Sequence, residues 1–177
     1  MHDYYRLSSQ ELGKGAKLPI LKVGDSGEAF YELAREMVDT IRDHNQREEK
    51  TVFIVPVGPV GQYPIFVRLV NEEGLSLKEC WFFNMDEYLA DDGNYISRED
   101  PLSFRGFMDR QVYSQIRPEL LMPQAQRVFP DPAAPEKADR LLEELGGPDV
   151  CFGGIGITGH LAFNEPQPEL TPVQFSQ

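Results

Sequence analysis

The sequence predicts an α/β fold on a mostly parallel sheet. Three observations predict it. Short apolar runs of strand length alternate with amphipathic stretches of helical length, the order that builds βαβ units. Two of those runs, residues 51–55 and 80–83, carry apolar side chains on both faces, as strands covered on both sides do. Three polar or glycine-rich segments, residues 56–61, 84–88 and 153–165, directly follow apolar runs. In a parallel sheet that is where ligands bind.

Residues 1–18 are polar and non-periodic and read as an irregular lead-in. Residues 19–23 form a short apolar strand candidate. Asp25 with Glu28 three residues on resembles a capping box, and Ala29, Phe30, Leu33, Ala34, Met37, Val38 and Ile41 follow at helical spacing. The strand at 51–55 runs into a Gly/Pro turn, and a helix is expected over about residues 63–71. After the strand at 80–83, residues 84–94 are polar and turn-rich, and Pro101 is placed to open a helix reaching Gln115. Residues 117–135 hold five prolines and read as loop with a short strand at 127–129. A helix over 136–145 ends at Gly146 and Gly147, and a last strand covers 150–152.

The length of 177 residues fits one domain, and 41% hydrophobic residues suffice for a core. Lys plus Arg number 17 against 29 Asp plus Glu, a net charge of −12, which argues against nucleic acid or an anionic membrane as partner. Cys80 and Cys151 lie in or beside apolar runs and read as reduced core residues of a cytoplasmic protein, with a disulfide as the minority alternative. No metal-ligand spacing is present. No apolar run approaches the ~20 residues of a membrane span, and the first 15 residues lack the basic and apolar regions of a secretion signal.

Two constellations can carry chemistry. Asn84-Met85-Asp86-Glu87-Tyr88 places adjacent carboxylates at a strand end, where desolvation can keep one protonated at neutral pH and fit it to move a proton between carbons. The same residues also suit a turn or an acidic helix N-terminus. The second runs from Gly153 to Pro166, GGIGITGHLAFNEP, with His160 and Glu165 able to do acid–base work among four glycines. It lacks the G-x-G-x-x-G dinucleotide spacing, and on its own a structural histidine is the stronger reading.

Taken together, FNMDEY and GGIGITGHLAFNEP, with Pro101-Leu102-Ser103-Phe104 and Phe107-Met108 between them, resemble the glucosamine-6-phosphate deaminase family over about residues 20–166. The resemblance implies a Rossmann-like α/β fold, one sugar-phosphate isomerase/deaminase-like domain over residues 1–177, and aldose–ketose isomerisation of an amino-sugar phosphate with loss of ammonia. It implies neither a redox cofactor nor a catalytic metal. By matching position, Asp86 is the base that moves a proton between carbons 2 and 1, and His160 opens the pyranose ring with Glu165 as its carboxylate partner. Glu87, Gly156, Thr158 and Gly159 are expected around the substrate. The backbone of Gly58, Val60 and Gly61 is expected at its phosphate.

Three departures from the family pattern bear on function. Thr158 stands where the family usually carries Asp; it can hydrogen-bond but bears no charge. The phosphate loop, usually like P-T-G-G-T-P, here reads Pro56-Val57-Gly58-Pro59-Val60-Gly61, without the Thr hydroxyl and with no N–H at Pro59. The sequence stops at Gln177, before the lid, further sheet and basic phosphate ligands of family members. The chain therefore reads as incomplete at the C-terminus and inactive alone, with an uncovered apolar edge that favours association or poor solubility, a homo-oligomer being one form such association can take. A non-catalytic sugar-phosphate sensor and a lactonase-like hydrolase on the same fold are the alternatives. The first is favoured by Thr158 and the altered loop, the second opposed by Asp86 and Glu87.

Overall fold

A computed structural model describes residues 6–8, 10, 11, 13–156, 158–162 and 164. Four parallel strands, β1 (Thr51–Val55), β2 (Cys80–Asn84), β3 (Arg127–Val128) and β4 (Val150–Cys151), form one sheet in the order β3-β2-β1-β4. Phe53 pairs with Phe82 on one side and Val150 on the other, and Phe82 continues to Arg127. The chain thus steps from β1 outward through β2 to β3, then crosses back to lay β4 on the opposite side of β1. That reversal makes the carboxyl ends of β1 and β4 the switch point of the sheet, where a crevice must open.

Helix α1 (Ser26–Gln46) starts where the sequence places it. The Asp25 carboxylate accepts from the Glu28 N–H at 2.9 Å, and the Glu28 carboxylate reaches back to the Gly24 N–H, one residue before the cap. Its apolar stripe buries Ala34, Met37, Val38 and Ile41 against α2 (Gln62–Glu73), which ends on Gly74 at φ 65°. Together these helices seal one sheet face. Phe53, Val55, Cys80, Phe82 and Phe152 join Tyr63, Phe66 and Val70 in one core, with Phe53 and Phe152 meeting edge to face at 5.2 Å. Each buried aromatic of this kind contributes about 1.5–3 kcal/mol. Ile54, Phe83 and Cys151 alternate onto the other face, which α4 (Glu136–Glu144) covers only in part, with no residue of its own fully buried.

Three expectations are corrected. Residues 19–23 form no strand, and Leu18 and Leu21 are 77% and 72% exposed, because the sheet offers them no neighbour. Pro101 does not open a helix. α3 (Phe104–Gln111) starts later, where the Ser103 hydroxyl accepts from the Gly106 N–H at 3.1 Å, and a separate 3-10 turn covers Tyr113–Gln115. Cys151 is exposed; only Cys80 is a core residue, and both thiols are free. No helix among the described residues is long and apolar enough to cross a membrane.

Candidate functional site

A cavity of about 420 Å³ opens over the carboxyl ends of β1, β2 and β4. Each strand contributes the segment that follows it: Pro56 to Pro59 from β1, Met85 and Asp86 from β2, and Gly154 to Gly156 with His160 and Ala162 from β4. Phe104, at the first turn of α3, closes one wall. Asp86 and His160 are thus brought to the same space, as sequence reasoning expects. Glu165 lies outside the described residues.

The β1 loop is pinned from below. Tyr63 is fully buried and its hydroxyl donates to the Pro56 carbonyl, while Gln62 Nε2 donates to the Pro59 carbonyl at 2.9 Å. Gly58 lines the cavity, but Val60 and Gly61 do not. Gly61 instead packs on Phe30, whose ring lies 2.3 Å from where its Cβ would stand.

On the β2 segment the two carboxylates separate. Burial, and next the charge of Glu87, raise the Asp86 carboxyl above its ordinary value, making it a stronger base than a free aspartate. Glu87 does not line the cavity. Its side chain is 1% exposed and accepts from the N–H groups of Phe104 (2.9 Å) and Arg105 (2.8 Å) and from the Ser103 hydroxyl (3.0 Å). Burial pushes Glu87 up, but these bonds outweigh it and hold the carboxyl below its ordinary value.

The β4 segment makes a tight turn. The Gly156 N–H donates to the His160 carbonyl at 2.9 Å, and His160 Nδ1 lies 2.6 Å from the Ala162 carbonyl. That bond places a proton on Nδ1 and leaves Nε2 as the nitrogen that can take one up. The ring lies over Gly156, where a Cβ would stand 1.7 Å from Nε2, so only glycine leaves the ring in this seat. Ala162 has φ 53°, the left-handed region, beside the histidine it supports. Thr158 and Gly159 are exposed on the turn and do not line the cavity.

A larger space of about 710 Å³ adjoins this one, sharing Met85, Gly154, Ile155 and Ala162. Its walls are mostly apolar, with Ile54 and Phe83 of the sheet facing Ala138 and Leu142 of α4, and of acid–base groups it holds only Asp139. The smaller cavity is the one that brings a carboxylate and a histidine together. Among the described residues no group of three or more His, Cys, Asp or Glu could hold a metal. Sequence reasoning missed Met85 and Phe104 as cavity walls and Tyr63 as the loop's anchor. Ser103, a good N-cap residue ahead of Phe104, is the signal that could have moved the start of α3.

This arrangement has counterparts in known proteins. A glucosamine-6-phosphate deaminase from Porphyromonas gingivalis is 36% identical over 131 residues, covering 70% of this chain and 47% of its own. One from Bacillus velezensis is 30% identical over 145 residues, 77% of this chain and 56% of its own. The chain is homologous to the glucosamine-6-phosphate deaminases. A solved monomeric glucosamine-6-phosphate deaminase of the NagB superfamily superposes with a TM-score of 0.71 at 26% identity, over 84% of this chain and 60% of that one. A 6-phosphogluconolactonase from Thermotoga maritima, at TM-score 0.54 and 20% identity, shares the fold over 81% of this chain and 61% of its own. No protein-family model matches the chain. It spans about half the length of the curated relatives it matches.

Proposed function

We propose that this chain carries the acid–base site of an enzyme that isomerises an amino-sugar phosphate and releases ammonia, with glucosamine 6-phosphate as the first substrate to try. One observation carries the reading: Asp86, with its carboxyl raised by burial and by its neighbour's charge, faces the same cavity as His160 at the sheet's switch point. His160 Nε2 takes the proton of the sugar's anomeric hydroxyl and returns one to the ring oxygen, opening the ring. Asp86 then takes the proton from carbon 2 and returns it to carbon 1, while one proton of the amine passes to the carbonyl oxygen on carbon 1, which converts the aldose amine into a ketose imine. Water adds to the imine carbon and ammonia leaves. Glu165 is the expected partner of His160, and the backbone of Gly58 the expected start of the phosphate site. No redox cofactor enters these steps.

The test is exchange of the carbon-2 hydrogen with solvent, read beside ammonia release, in a full-length version of the protein and in its Asp86→Asn variant. The variant should lose about 10²–10⁴-fold in exchange and keep sugar-phosphate binding, since an amide cannot accept and return a proton. Unchanged exchange in the variant would move the base elsewhere.

A second reading, a sugar-phosphate binder without turnover, is favoured by the exposed, uncharged Thr158 and by Pro59 in the β1 loop. Binding without exchange in a full-length wild-type version supports it. The lactonase-like alternative has only the shared fold behind it.

A further inference from the structure

The steps above use Asp86 and give its neighbour no task, yet Glu87 is the most heavily bonded carboxylate of the site. Besides the three donors at the start of α3, it accepts from the Tyr88 N–H at 2.9 Å and from Arg105 Nε at 3.1 Å. Arg105 is itself held on three sides. Nη2 donates to the Ile96 carbonyl at 2.6 Å, and the guanidinium lies 3.9 Å above the Tyr95 ring, whose hydroxyl donates to the Pro130 carbonyl. Tyr88 in turn packs edge-on against Phe104 at 5.1 Å. One buried carboxylate therefore ties together the end of the β2 segment, the 88–103 loop and the first turn of α3. Its two immediate neighbours along these ties, Asp86 and Phe104, both line the cavity.

We propose that Glu87 is a positioning residue that clasps the first turn of α3 to the β2 segment and so holds Asp86 and Phe104 against the substrate cavity. The clasp has a geometric reason. The first N–H groups of a helix have no partner within the helix, and a carboxylate is the acceptor that best satisfies them. With Glu87 charged and fixed, Asp86 stands permanently beside a negative neighbour. The groups facing this pair are Arg105 and, through it, Tyr95 on the Glu87 side, and Tyr63 and His160 on the Asp86 side.

The inference rests on the reading of Asp86 as the base, but its test does not use turnover, so the two can fail separately. Side-chain carboxyl NMR of the full chain gives the Asp86 titration, and trypsin in the same samples reports access to Arg98 in the clasped loop. In Glu87→Gln, Asp86 should become a stronger acid by about three- to tenfold, because a like charge is gone, and cleavage after Arg98 should speed up. Glu87→Asp, which keeps the charge, should return Asp86 toward its wild-type midpoint. A folded Glu87→Gln with an unmoved Asp86 midpoint overturns the proposal and leaves Glu87 a purely structural acceptor. If Glu87→Gln does not fold, Arg105→Lys decides. It removes the guanidinium bonds to Glu87 and the Ile96 carbonyl, keeps the charge and leaves the Ser103 cap of α3 in place, so faster cleavage after Arg98 with an unmoved Asp86 supports the clasp, and unchanged cleavage overturns it.

Discussion

The segment after β2 and the segment after β4 each deliver one acid–base group to the same cavity, and they are built in opposite ways. The first is cross-tied: Glu87, Ser103 and Arg105 bind Asp86's neighbourhood to a helix, and Ser103 is fully buried. The second is an exposed turn that shapes itself with its own backbone, through Gly156, Gly159 and Ala162. The contrast suits the two tasks proposed for them. A base that shuttles a proton between adjacent carbons must keep its position within a fraction of an ångström. A histidine that exchanges protons with a ring oxygen and a hydroxyl needs a correct tautomer and some adaptability. A tight glycine turn supplies both.

Two glycines break the comparison from either side. In Gly156→Ala the new Cβ meets His160 Nε2 and must push the ring from its seat. Ring opening should fall about a hundredfold, the effect of an ångström-scale misplacement, while the melting temperature barely moves, because the turn is exposed. In Gly106→Ala the new Cβ would stand 2.0 Å from the Arg98 carbonyl oxygen, inside the clasped region. Here the loss should be in stability, about 1–3 kcal/mol by chemical denaturation. Equal stability losses at the two positions would show that the β4 turn is as much a part of the folded core as the clasp.

The pH dependence of stability sharpens the contrast within the clasped segment. Glu87 is held below its ordinary 4.5, so it contributes stability that is present above that value and lost as the pH falls through its lower folded value. Asp86 is raised above its ordinary 3.8, so it stabilises the fold when protonated, and that contribution fades as the pH rises through its raised folded value. Melting temperatures between about pH 3 and 6 should fall less steeply toward acid in Glu87→Gln than in wild type. In Asp86→Asn they should fall more steeply. Parallel curves for all three would show that neither carboxyl differs between the folded and unfolded chain.

How far the sequence reaches follows the same division. Its periodicities placed α1, β1, α2, β2 and α4 within a few residues, because those elements fold around one continuous core and each carries its own stripe or apolar run. Residues 19–23 carried such a run and form no strand, since a strand needs a partner that no local pattern can announce. Strand order was equally out of reach, and with it the reason that the β1 and β4 loops meet. Asp86 and His160 were legible as motif residues. That Glu87 turns inward was not, because its counter-ion Arg105 lies 18 positions away across a loop whose length sets no spacing rule. The expected roles of Val60, Gly61, Thr158 and Gly159 came from the family pattern, and these residues stand outside the cavity lining.

The smallest expected effect belongs to Thr158, where the β4 turn and the family pattern differ. Thr158 is exposed on the turn that carries His160, and it brings no charge. A carboxylate near an imidazole favours its protonated form, and across an exposed position such an interaction is worth about 0.2–1 kcal/mol. In a full-length version, Thr158→Asp should therefore speed turnover of the closed sugar about two- to fivefold and leave the melting temperature nearly unchanged. The gain should vanish for an open-chain analogue, which has no ring to open and meets only Asp86. The ratio of the two rates is the measurement, since it cancels any change in expression or folding. An equal gain on both substrates would show that the new charge acts on binding. No gain on either would detach His160 from ring opening, and the reading of this chain as a sugar-phosphate binder without turnover would then account better for Thr158 than the deaminase reading does.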